Sequence, residues 1–128
     1  MEKAVESSLP THGSPQCIDS CRYLTLVLCG LINGEDRSRV LSPDWPPAQW
    51  LMARFTLHPE VQEIIRGSYT RRRPPEICGS GYVMRSLEAA LWAFHRAVDF
   101  REAVLKAVNL GDDADTPGAV CGQLAGAY

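Results

Sequence analysis

Apolar positions recur at helical spacing along almost the whole chain. Ser14 and Pro15 read as the N-cap and first residue of a helix, after which Cys17, Cys21, Leu24, Leu28 and Leu31 follow at steps of three and four. The residues between them are also mostly apolar, so this helix is expected to be buried on several sides, and Asn33-Gly34 ends it. A short charged helix is expected from about Asp36 to Leu41, then a proline-rich turn from Ser42 to Pro47, with Trp45 and Trp50 pinning this irregular stretch to the body. Pro59 opens another short helix, with Val61, Ile64 and Ile65 facing inward and Gly67 as its stop. Ser68 to Gly81 reads as a loop.

The strongest pattern follows. Leu87, Ala90, Leu91, Phe94 and Val98 share one helical face, with Arg85, Glu88, His95 and Arg96 on the others. Asp99 caps the next helix, with Glu102 three residues on as in a capping box, and Phe100, Ala103, Val104, Ala107 and Val108 form its stripe before Gly111. A last helix starts at Pro117 with Gly118, Gly122 and Gly126 along one side. That spacing implies either a neighbouring backbone at close range or a helix end that lines a site. No segment reads as a strand, so the expected fold class is all-α, a multi-helical bundle.

Composition narrows the function classes. A chain of 128 residues with 45% apolar content is one domain or part of one. A net charge of −2 gives no reason to expect nucleic acid or a membrane surface as partner. The longest apolar stretch, Tyr23 to Ile32, is too short to span a bilayer, and the amino end lacks a signal-peptide layout. Five cysteines without a Cys-x-x-Cys pair favour a reducing, cytoplasmic setting over a disulfide framework, and Cys17 and Cys21 read as core packing.

The chemistry concentrates between the last two helices, where Asp112, Asp113 and Asp115 are followed by Thr116. Carboxylates with a reference pKa of about 4 are all ionised at neutral pH, so their repulsion must be offset. Two readings are open. In one, Thr116 is an N-cap, Pro117 the first helical residue, and the aspartates sit near the positive end of the helix. In the other, Asp113 and Asp115 aim two carboxylates at one point and Thr116 adds a neutral oxygen, a donor set suited to Mg²⁺. Arg71-Arg72-Arg73 could meet a pyrophosphate or form a solvated loop. Gly79-Ser80-Gly81 lacks the strand and spacing of a dinucleotide or phosphate-loop fingerprint.

The segments Gly79 to Val83, Ser86 to Phe94, Phe100 to Val104, Ala107 to Thr116 and Gly122 to Tyr128 together resemble the C-terminal portion of the ADP-ribosylglycohydrolases. Thr11-His12-Gly13 and the helix after it are similar to the middle of that family. The resemblance implies an all-α fold and hydrolysis of the N- or O-glycosidic bond between ADP-ribose and a protein side chain or a related small molecule. It also implies a dinuclear Mg²⁺ centre (Mn²⁺ in some members). By the same resemblance Asp113, Asp115 and Thr116 are metal ligands, Asp112 stands where many members have glycine, and Gly81 and Tyr82 line the ADP-ribose cleft. Tyr82 can equally be a helix-start residue packed on the core. His12 falls where the family places a histidine near the site, and it can equally be solvated or structural.

The family's earlier Thr/Ser-Asp-Asp ligand motif has no counterpart here. Residues 1–128 are therefore expected to form the C-terminal half of the domain, without the N-terminal metal-binding half. The implied options are a glycohydrolase incomplete in this chain alone, one subunit of a split enzyme partnered by a separate N-terminal half, or an inactive ADP-ribose-binding fragment.

Overall fold

The computed structural model describes residues 1–128 and contains nine helices and no strand. They are α1 (Glu2–Ser8), α2 (Pro15–Ile32), α3 (Arg37–Val40), α4 (Pro46–Arg54), α5 (Pro59–Ile65), α6 (Ser68–Arg71), α7 (Val83–Arg96), α8 (Phe100–Val108) and α9 (Asp115–Ala127). The three C-terminal helices pack on one another, α2 lies across α7 and α9, and α1 folds back along α2. The core between them gathers Tyr23, Val27, Leu51, Ile65, Tyr69, Leu91, Phe94 and Leu124. No helix is long and apolar enough to cross a membrane, and all five cysteines are unpaired.

The caps expected from the sequence hold α2 and α8, and a further one, Asp36, holds α3. Ser14 accepts from the Cys17 N–H at 3.3 Å, and Asp36 accepts from the Ser38 N–H at 2.7 Å. Asp99 accepts from the Glu102 N–H at 2.7 Å, while Glu102 reaches back to accept from the Val98 N–H at 2.7 Å. Arg37 closes the other end of α7, donating to the carbonyls of Phe94 at 2.9 Å and Ala97 at 2.6 Å.

Several expectations are corrected. The proline-rich turn gives way to α4 at Pro46, since a proline in the first turn has no N–H to lose and is preset for the helix. Trp45 is buried as expected, but Trp50 is half exposed, lying edge-on to Phe55. The expected loop after Gly67 begins with α6, and α1 forms where no helix was expected. On α2 the buried face is Tyr23, Val27, Gly30 and Leu31, whereas Cys17, Cys21, Leu24 and Leu28 are only half-buried. A helix apolar on several sides does not reveal which side is deepest. Val98 lies past the end of α7 and is 86% exposed, and Phe100 is also exposed at the start of its stripe.

Glu88, expected on an outward face, is buried. It accepts from the Ser68 hydroxyl, and its two oxygens accept from Arg72 at 2.8 and 3.0 Å. Arg72 also donates to Glu63 at 3.3 Å, so the middle arginine of the basic run is an internal partner that ties α5 and α6 to α7. The Arg72 guanidinium is held above its usual range by the Glu88 carboxylate.

Of the three helical glycines on α9, only Gly118 marks a close approach. A β-carbon there would meet Val108 Cγ1 at 2.8 Å, while Gly122 faces open space.

Candidate functional site

The acidic turn is built by the way α8 stops. Gly111 and Asp112 both take positive φ, +79° and +50°, which throws the chain sharply back toward α7. The helix α9 then starts at Asp115, two residues before the expected Pro117. Its N-cap is Ala114, and no side chain caps it. Thr116 is therefore not the N-cap. Its hydroxyl turns back to donate to Asp113 Oδ1 at 3.2 Å, and its N–H donates to Asp115 Oδ1 at 3.0 Å.

The Asp113 and Asp115 carboxylates face one another. The Asp115 carboxylate pushes Asp113 above the usual carboxylate range, and the same pairing, with the Thr116 N–H, holds Asp115 below it. Neither carboxylate is paired with a lysine, arginine or histidine. Two apposed carboxylates and a hydroxyl, without a basic partner, are a hard-oxygen donor set that fits part of a Mg²⁺ coordination shell. No third acidic, histidine or cysteine side chain joins them.

The turn is held by the segment that precedes α7. Gly79 is buried, and a β-carbon on it would collide with the Gly111 carbonyl and lie 3.1 Å from the Asp113 carbonyl. Gly81 also faces the turn, its β-carbon position 3.9 Å from Asp113 Oδ2. Two serines fix the segment: Ser80 Oγ accepts from the Tyr82 N–H at 3.1 Å, and Ser86 donates to the Ser80 carbonyl at 2.5 Å. On the other side, Ser8 donates to the His12 carbonyl at 2.6 Å, which closes α1 onto the loop before α2.

These elements enclose a cleft of about 600 Å³. His12, Gly81, Tyr82, Asp113 and Thr116 all line it, so five of the six residues singled out from the sequence converge on one cavity although they are spread across the chain. Asp115, the partner of Asp113, is not among the lining residues. The half-buried face of α2 supplies the floor through Cys17, Cys21 and Leu24. Those cysteines are cleft residues rather than core. Arg71, Arg72 and Arg73 do not line the cleft.

Sequence reasoning missed Ser8, Ser20 and Glu60. Ser20 lines the cleft from a buried position, one turn into α2. Glu60 accepts from the Tyr82 hydroxyl at 2.7 Å. Asp19, also missed, is buried and anchors α2 to the start of α5. It pairs with Arg22 at 2.6 Å and accepts from the His58 N–H at 2.8 Å. An acid inside an apolar helix was the one signal that could have flagged it.

Comparison with known proteins identifies the family and the fold. A family model described as ADP-ribosylglycohydrolase matches residues 1–128. The chain is 42% identical over 120 residues to the ADP-ribosylarginine hydrolase Tri1 of Serratia proteamaculans (strain 568), covering 94% of this chain and 30% of that protein. It is 38% identical over 125 residues to the ADP-ribosylarginine hydrolase Tri1 of Pseudomonas putida (strain GB-1), covering 98% of this chain and 31% of that one. A chain in a solved structure described as an ADP-ribosylglycohydrolase-related protein complex superposes with a TM-score of 0.82 at 38% identity, over 95% of this chain and 40% of that chain. The chain thus spans about 30% of the length of the curated relatives it matches. On the full-length match of the family model and the agreement in fold, the chain belongs to the ADP-ribosylglycohydrolase family.

Proposed function

We propose that this chain forms part of the active centre of an enzyme that hydrolyses the bond between ADP-ribose and a protein side chain, with arginine as the modified residue. The observation that carries the reading is the convergence of His12, Gly81, Tyr82, Asp113 and Thr116 on one cleft in a chain of this family. Two relatives named as ADP-ribosylarginine hydrolases support the choice of arginine.

In this reading the cleft takes the ADP-ribose unit. The exposed ring of Tyr82 offers a flat surface for the ribose or the base, and Gly81 lets the sugar approach Asp113 without a side chain in the way. His12 lies at the rim, able to hydrogen-bond a substrate hydroxyl. Asp113, Asp115 and Thr116 would hold Mg²⁺, or Mn²⁺ in its place. When bound, such an ion supplies positive charge that orients hydroxyls and acidifies water. Thr116 holds both carboxylates, its hydroxyl donating to Asp113 and its N–H to Asp115.

Two carboxylates and one hydroxyl fall short of an octahedral set, so the remaining donors come from water or from residues outside this chain, such as a separate N-terminal half. That shortfall also favours a second reading, an ADP-ribose-binding module that does not turn over by itself. A reducing compartment such as the cytoplasm suits the five unpaired cysteines.

Exchange of the matching 120-residue segment of the Serratia relative for this chain tests the reading. The hybrid is expected to release ADP-ribose from ADP-ribosylated arginine with added Mg²⁺. Asp115→Ala in it should abolish turnover without loss of helix content. A hybrid that keeps its rate after Asp115→Ala overturns the ligand assignment. A folded hybrid that binds ADP-ribose without turnover supports the binding module.

A further inference from the structure

We propose that Glu60 is a positioning residue for Tyr82, holding its ring at the angle at which it receives the ADP-ribose unit. The proposal rests on the reading of the cleft given above.

Tyr82 is the N-cap of α7 and is 40% exposed, so packing alone does not fix its side chain. Its ring stands between two cavities. It lines the cleft of about 600 Å³ and also a neighbouring cavity of about 560 Å³, and it is the one residue shared by both. Glu60 lines the second cavity and reaches the phenol from behind, accepting its hydrogen bond at 2.7 Å. The Glu60 carboxylate has no other hydrogen-bond or ion-pair partner. Its sole contact of that kind is the tyrosine.

Glu60 lies in the first turn of α5. Its N–H donates to His58 Nδ1 at 3.4 Å, and the His58 N–H donates to buried Asp19 on α2 at 2.8 Å. The tie therefore runs from α2, which floors the cleft, through α5 to the ring on the opposite wall. An exposed hydrogen bond contributes little to folding, whereas holding one rotamer of a cleft aromatic lowers the ordering cost of binding. In agreement with the geometry, the Glu60 carboxylate pushes the Tyr82 phenol above its usual range.

The test is calorimetric titration of the whole chain with ADP-ribose, with a thermal melt of every variant to verify folding. Glu60→Ala and Tyr82→Phe should each weaken binding about three- to tenfold, the size of one hydrogen bond's net contribution. The double variant should be no weaker than either single one, because both remove the same bond. Glu60→Gln keeps an acceptor at the same reach and should stay within about twofold of the unaltered chain. Additive losses, or full affinity in Glu60→Ala while Tyr82→Ala binds weakly, would overturn the positioning role alone. Full affinity in Tyr82→Ala, or no binding by the unaltered chain, would overturn the reading of the cleft and this proposal with it.

Discussion

The Gly111 carbonyl runs so close to the α-carbon of Gly79 that no side chain fits between them. This contact docks the turn carrying Asp113 onto the segment that leads into α7, and so sets the distance from the carboxylates to Gly81 and Tyr82. Gly79→Ala must push the turn outward. The expected cost is about 1–3 kcal/mol of stability, together with weaker Mg²⁺ binding. Gly122→Ala is the contrasting case, because a β-carbon there meets nothing within 4 Å and the residue lies inside α9. It should stabilise the chain by about 0.4–1 kcal/mol. Thermal melts of the two variants should move in opposite directions.

A second prediction concerns Glu88, which is buried between Ser68 and Arg72. Glu88→Ala leaves Arg72 without its main partner and opens a gap under α6. The cost should be about 1–3 kcal/mol, less than for a wholly buried pair because Arg72 keeps 41% of its side-chain surface in solvent, which screens the charge. Denaturant unfolding should show a lowered midpoint with unchanged slope. A midpoint equal to that of the unaltered chain would mean that the pair contributes nothing.

The same residue shows what the sequence left hidden. Helices with a single apolar stripe, α5, α7 and α8, were legible because that signal is local, and the start of α8 was marked as well by its cap, Asp99. Glu88 was not, since its partners lie 16 and 20 positions away and only the folded chain brings them together. The helix α4 was obscured by Pro46 and Pro47, which read as a turn but start a helix. At the site, the spacing of Asp113 and Asp115 left a helix cap and a cation site both open, and family resemblance nominated His12, Gly81 and Tyr82. Their convergence on one cleft was not visible, because it depends on α2 lying across α7 and α9. The link from Glu60 to Tyr82 spans 22 positions and carries no local signature.

A third prediction follows from the opposed carboxylates. The folded chain raises the pKa of Asp113, so this group's contribution to stability is fully present below its unfolded value and is lost as pH rises through its folded value. Asp115 is lowered and acts in the opposite sense, stabilising above its unfolded value until pH falls through its folded one. Removing the charge from Asp113 should therefore help the metal-free chain only where both groups would be ionised. Asp113→Asn is expected to raise the melting temperature at neutral pH, with the gain fading as pH falls through the Asp113 titration. An Asn variant that melts lower at neutral pH, or gains equally at all pH values, would contradict the repulsion.

Asp112 gives a fourth. It holds φ at +50°, a conformation that costs a non-glycine residue energy, and it adds a third negative charge to the turn. Asp112→Gly should be neutral or stabilising by up to about 1 kcal/mol and should leave Mg²⁺ affinity nearly unchanged. A marked loss of affinity, read by titration calorimetry, would make Asp112 part of the ligand set.

On the proposed reading, the turn from Gly111 to Thr116 binds a divalent ion beside the cleft. Mn²⁺ is paramagnetic and broadens the backbone amide signals nearest to it, so small additions to the isotope-labelled chain report directly where the ion sits. The account predicts broadening centred on residues 111–116 and Gly81, reversed by excess Mg²⁺ and absent in Asp113→Ala and Asp115→Ala. Broadening centred instead on Glu60, Glu63 and Glu76, or unchanged in the two alanine variants, would contradict it.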